Sequence, residues 1–286
     1  MRSLLFLLAI LALCVPASAD TYVTEDITTD TTWDFAGSPY IIESIIYVQS
    51  ASTLTIDPGV TVELSGGAAQ LQTYSGCSIV AVGAEGSEIL FTSGRDTPGP
   101  NDWFAITVAS SPASVFAHCV FEYGRYNLSA MTSDVSLSFC TSRYAEYAGF
   151  MFQSNANPTM TSCSASFTDD GVRIYTDSSP TITDCSFTDN NQGIFIQGPA
   201  SYPVIHGCNI YNNSWNNMEI LGYEGPLVTI DAESNWWGVD TAPEIEATIN
   251  IASASVGNVE IDFDPWLHEV PVEVMSWGRL KAMFVE

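Results

Sequence analysis

Carboxylates dominate the residues of this chain that could do chemistry. Asp169 and Asp170 stand side by side, Asp189 follows 20 positions after the first of them, and Arg173 is close enough to organise the group. Two carboxyl groups across a cleft are what glycosidic hydrolysis needs, one to protonate the leaving oxygen and one to assist attack. A second set suits a hard cation. Asp262 and Asp264 alternate as on one strand and so share a face, and Asp231 and Glu233 do likewise. Their oxygens are of the kind calcium takes, although no complete coordination loop accompanies them. No two of His118, His206 and His268 have the spacing of paired metal ligands, which argues against a zinc site.

The elements that position these groups repeat. Cys119, Cys140, Cys163, Cys185 and Cys208 follow one another at intervals of 21, 23, 22 and 23 residues, and Cys77 lies 42 before Cys119, which is two such intervals. Self-similarity at this length marks a solenoid. Pro158-Thr159-Met160-Thr161 is echoed by Pro180-Thr181-Ile182-Thr183 and by Pro203-Val204-Ile205-His206. Phe167-Thr168-Asp169-Asp170 matches Phe187-Thr188-Asp189-Asn190, which makes Asp169, Asp189 and Asn212 equivalent and sets Asn190 with Asn213. Short alternating runs separated by Gly, Asn, Asp or Pro predict strands and turns, with no helix before the tail. A period of about 22 residues fits a coil of three short strands, and stacked coils set equivalent residues about 4.8 Å apart. The six cysteines then form a column facing inward beside Ile182 and Ile205. Their regularity favours buried thiols acting as small core fillers over disulfides, although the rung spacing would permit a bridge.

Charge narrows the partners. The chain has 286 residues, with 33 acidic side chains against 7 basic ones and a formal charge of −26. Such a surface repels phosphate backbones and anionic lipids, so nucleic-acid binding is not expected. It also repels polyuronates unless calcium bridges the two, and its plainest role is to keep a β-rich protein soluble. With 46% apolar residues there is material for a core. Residues 1–19 read as a secretory leader: Arg2, an apolar run from Leu4 to Val15, then Ala17-Ser18-Ala19 as the cleavage site. Leu13 is too bulky for Cys14 to read as a lipoprotein site. The run is too short to span a bilayer, and no transmembrane segment is expected elsewhere. The protein is therefore expected outside the cell or on its surface.

The whole pattern resembles the right-handed parallel β-helix proteins of the pectin-lyase-like superfamily. Three segments carry the likeness: an opening from Thr53-Leu54-Thr55-Ile56-Asp57-Pro58-Gly59 through Ile89-Leu90-Phe91 to Trp103, the repeat block, and a closing pair, Asn235-Trp236-Trp237-Gly238 and Asp262-Phe263-Asp264-Pro265-Trp266. The resemblance covers residues 30 to 267 and implies an all-β solenoid, while the architecture hosts lyases, hydrolases, adhesins and passive surface proteins alike. A lyase of this kind needs a basic residue near its carboxylates, yet the only lysine is Lys281, in the tail. The paired aspartates resemble those of β-helix polygalacturonases, but the Gly-His-Gly and Arg-Ile-Lys segments of that family are missing.

The expected organisation is a leader at 1–19, an amino-terminal cap at 20–50, a parallel β-helix at 51–267 and a tail at 268–286. Trp236, Trp237 and Trp266 are expected to seal the last coil, since open solenoid ends need covering; stacking on sugar rings is their alternative use. In the tail, Trp277, Leu280 and Phe284 share a face if that segment is helical. The functional expectation is a structural or glycan-binding, adhesin-like element with no cofactor unless calcium binds. The alternative is a carbohydrate-active enzyme, a polysaccharide hydrolase or lyase, built on Asp169, Asp170, Asp189 and Arg173.

Overall fold

The computed structural model describes residues 20–268, apart from 110–112, 133, 199, 225 and 254. The expected leader, and all of the tail beyond His268, lie outside the described residues. Short strands follow one another around three faces, and each strand pairs in parallel with its equivalent one coil away. The three sheets, A, B and C, hold nine, nine and ten strands among the described residues. A representative coil runs from Ser114–Ala117 in sheet C through Cys119–Glu122 in sheet A to Tyr126–Ala130 in sheet B. It returns to sheet C at Val135–Ser138.

Alternation along each strand fills the cylinder. In sheet C, Phe116, Leu137, Met160, Ile182 and Ile205 are in register and buried, while Thr181 and Thr183 beside Ile182 face outward. In sheet B the inward column is Leu128, Phe150, Val172, Ile194 and Met218. A single coil has no second layer to hide these residues, so burial comes from its two neighbours. Residues 20–50 supply the first rungs: Tyr40–Ile42 pairs with Thr61–Leu64, and Thr31–Trp33 with Thr53–Ile56. Trp33 stacks on Tyr40 at a centroid distance of 4.7 Å. At the other end Trp237 is buried and meets Phe263 edge-on, Phe263 packs on Trp266, and Trp236 is half-buried. A short helix, Ala242–Glu246, opens with Pro243 near its start and buries Ile245. No helical period foretold it, because five residues are too few to show one.

Single residues in the left-handed region turn the chain from sheet C into sheet A. They are His118, Phe139, Ser162, Asp184 and Gly207, with φ between 48° and 66°. The residue after each is a cysteine of the column, and its backbone N–H points along the stack. Cys140 N donates to Cys163 Sγ, Cys163 N to Cys185 Sγ and Cys185 N to Cys208 Sγ, each at 3.4 Å. Cys208 N ends the series on Asn235 Oδ1 at 2.8 Å. The sulfur therefore does more than fill space: it accepts an N–H that would otherwise be orphaned at the bend. All six described cysteines are free and buried, and burial pushes the Cys163 and Cys185 thiols up, so they stay protonated.

Two expected equivalences are corrected. Cys77 does not stand in the cysteine column. It precedes Ser78, which pairs with Thr53, so its counterpart is Ser52 at the corner between sheets B and C. The interval of 42 misled because the coil from Ala81 to Phe116 spans 35 residues, the chain making a long connection between Ser93 and Ala105. Asp169 is likewise not the counterpart of Asp189. Ser164 pairs with Ser186 and Ala165 with Phe187, so Phe167 stacks under Asp189 and Asp169 under Asn191.

Candidate functional site

The bend from sheet A into sheet B repeats Tyr123, Tyr144, Phe167, Asp189 and Asn212, all with positive φ. Tyr123 stacks on Tyr144 at 5.3 Å and Tyr144 on Phe167 at 5.4 Å, leaving Phe167 55% exposed. Where the rings give way to smaller polar side chains, the corner sinks into a groove of about 560 Å³ lined by Glu146, Asp169, Asp189, Asn191 and Asn212, with Pro100 from the long connection. A second depression of about 360 Å³ shares Asn212 and carries on past Trp215 to Trp237 and Thr248. Trp215 is 64% exposed. The two meet at Asn212 and together make a trough along the stack.

The trough is built from local order. Buried Asn190 accepts from Thr168 N and donates to Ala165 O, while Asn213 accepts from Asn190 N and donates to Phe187 O. These amides bind the bends of adjacent coils together. Asn191 Nδ2 donates to Asp169 Oδ1 at 2.8 Å, and Asn212 Nδ2 donates to Asp189 Oδ1.

The four residues of the expected hydrolytic cluster separate onto two surfaces. Asp169 and Asp189 line the trough. Asp170 and Arg173 sit on the outer side of sheet B, where Arg173 Nε donates to Asp170 Oδ2. Arg173 also reaches Asp169 at 3.7 Å and links the two surfaces. Its guanidinium lies 4.9 Å from the ring of Phe195, 5.5 Å from Tyr175 and 6.0 Å from Tyr147. Asp170 is wholly buried, and removal from water pushes its carboxyl up to about 7 against the opposing pull of Arg173. Neither the aromatic trio nor Glu219 and Gln192, which complete this surface, stood out in the sequence. The faint signal was the two-residue alternation of Tyr175, Phe195 and Glu219 with inward apolar residues in Asp170–Tyr175, Gln192–Gln197 and Asn216–Leu221, a pattern that Gln192 itself breaks.

The calcium candidates do not converge. The strands end at Asp231 and Asp262, so Glu233 and Asp264 lie beyond them and share no strand face with their partners. Asp231 and Asp262 are in register, and Asp231 Oδ1 is engaged by His206 Nε2. Among the described residues no three His, Cys, Asp or Glu side chains gather as metal ligands. Each described arginine is paired: Arg95 with Asp102, Arg125 with Glu146, Arg143 with Glu122, and Arg173 as above. Among the described residues, no helix is long and apolar enough to cross a membrane.

Two family descriptions match the chain. The right handed beta helix region matches residues 100–231, and the pectate-lyase like beta helix domain matches residues 25–157. The chain is a right-handed parallel β-helix, and both matches are consistent with the pectin-lyase-like superfamily. No curated protein and no solved structure matches it. In this β-helix protein the two matches overlap over residues 100–157, from the end of the long connection through the first coils of the cysteine column, and together they take in the trough's carboxylates, the Asp170–Arg173 pair and Glu219. They speak for the architecture, which carries many activities.

Proposed function

We propose that this β-helix protein is an exported, surface or extracellular element that binds glycan chains along the trough between sheets A and B. The observation that carries the reading is that the two depressions adjoin at Asn212. A trough running along stacked rungs suits a linear polymer. Amide and carboxylate groups offer hydrogen bonds to hydroxyls, and the exposed faces of Phe167 and Trp215 offer stacking surfaces. With a formal charge of −26 and every described arginine already paired, neutral or amino-bearing sugars fit the trough better than uronates. Asp170 favours binding over cleavage: it is enclosed, and so cannot hand a proton to a glycosidic oxygen from where it sits.

Titration against a panel of neutral, amino-bearing and uronate polysaccharides, with and without calcium, tests this. Binding to a neutral or amino-bearing chain is expected, with Trp215→Ala weakening it about fivefold, since a lost stacking contact is worth about 1 kcal/mol. Release of reducing ends by the wild type, lost in Asp169→Asn/Asp170→Asn/Asp189→Asn, would make the protein a hydrolase instead. Failure to bind any member of the panel would remove the glycan reading.

A further inference from the structure

On the outer side of sheet B a single amide stands between two carboxyl groups. Asp170 pairs in register with Gln192 on the next coil, and the Gln192 Nε2 amide donates to Glu219 Oε2 on the coil after that. Two buried oxygens are left without a partner, Oδ1 of Asp170 and Oε1 of Gln192. Because the Gln192 nitrogen is turned toward Glu219, its oxygen is turned away, back toward the coil of Asp170. Two buried acceptors on residues in paired register are each left unsatisfied, which costs free energy. Turning the amide over only transfers the mismatch to Glu219. As the amide is placed, the line from Asp170 through Gln192 to Glu219 is short of one proton.

We infer that Asp170 is the proton-binding site of this surface: its Oδ1 carries a proton that it donates to Oε1 of Gln192. Glu219 is the worse host, because it is only partly buried and also accepts from Asn250 Nδ2 at 3.1 Å and Asn216 Nδ2 at 3.5 Å. Its oxygens therefore already have donors and do not need the proton to be satisfied. Asp170 has one donor, Arg173 Nε on its Oδ2, which a neutral acid still accepts through its carbonyl oxygen. The charged and titratable groups around Asp170 are Arg173 and Tyr175 on its own strand, Asp169 before it, Glu219 two coils on, and Tyr126 and Tyr147 on the coils before. Two of these are acids that oppose a second anion. The lone cation keeps Asp169 at 3.7 Å and three aromatic rings as company whichever form Asp170 takes. Burial lifts the Asp170 carboxyl to about 7, in keeping with this assignment.

The sign of the pH dependence follows. A carboxyl raised above its unfolded value of about 4 stabilises the fold fully below that value, and the contribution is lost as pH rises through about 7. Melting temperature read between pH 5 and 8 is expected to fall with rising pH in the wild type. In Asp170→Asn, whose amide mimics the neutral acid, this group's part of the slope should vanish while the pH 5 value is kept. An Asp170→Asn variant destabilised equally at pH 5 and 8 would overturn the inference, because it would mean that an anion is what Arg173 holds. Infrared titration of the wild-type chain needs no variant. A carboxylic-acid carbonyl band persisting at pH 6 and fading with a midpoint near 7 is expected, and its absence at pH 6 would equally overturn the assignment. Both readouts are independent of whether any glycan binds.

Discussion

Gly193→Ala is expected to destabilise the protein by about 3 kcal/mol or more, among the largest effects available to a single methyl group. Gly149, Gly171 and Gly193 occupy one column on successive coils of sheet B. A Cβ at Gly193 would stand 2.6 Å from the backbone oxygen of Asn217, 2.7 Å from Asn213 Nδ2 and 3.0 Å from Ile210 Cγ2. None of these can retreat cheaply. The Asn217 carbonyl belongs to a strand, and Asn213 is tied to Phe187 O and Asn217 Oδ1. Urea unfolding compared with Gly67→Ala, where an added Cβ meets nothing within 4 Å, isolates the clash. The Gly67 variant should stay within about 0.5 kcal/mol of wild type. Equal behaviour of the two would mean the coils stand farther apart at Gly193 than described.

Phe121→Ala should remove about 3–5 kcal/mol. Phe121 is wholly buried, stacks on Phe91 at 4.9 Å, and meets Phe116 and Phe150 edge-on at 6.0 and 6.4 Å. The ring joins three coils and all three sheets, so its loss opens a cavity that no single neighbour can close. Denaturant melts should shift to a lower midpoint. A loss under about 1 kcal/mol would show that the surrounding rings collapse into the space and that the aromatic stack is dispensable.

The coil itself was legible because burial enforces it. A cysteine whose N–H engages the next coil and whose sulfur engages the coil before cannot drift in register, so the spacing of the column up to Cys208 reports the rungs directly. Outward positions carry no such constraint. Phe167 and Asp189 share a place at the bend although they have nothing chemical in common, since only the positive φ is required there. Matching by residue type therefore aligned Asp169 with Asp189, two residues out of register with the strands. Cys77 was misassigned for a related reason, a long connection having broken the period just where the count crossed it. Gln192 and Glu219 escaped notice because isolated polar residues look alike in a sequence until the stacked coils bring their side chains into hydrogen-bond contact. Asp170 and Arg173 were found by their proximity in sequence, but their enclosure was not visible, since it depends on Tyr147 and Phe195 from flanking coils.

The long connection between Ser93 and Ala105 has a consequence for how such proteins diversify. Phe116 and Leu137 remain in register although the chain takes 35 residues to reach the first from Ala81 and only 21 to reach the second from there. Closing a longer loop adds entropy only logarithmically. A corner segment can therefore be lengthened or exchanged while the rungs beneath stay where they are, and Pro100 already brings one such segment to the rim of the trough. Heritable change in this architecture can gather in the connections, leaving the cylinder as a conserved chassis. A segment grafted between Ser93 and Ala105 would bring its own contacts to an otherwise unaltered protein.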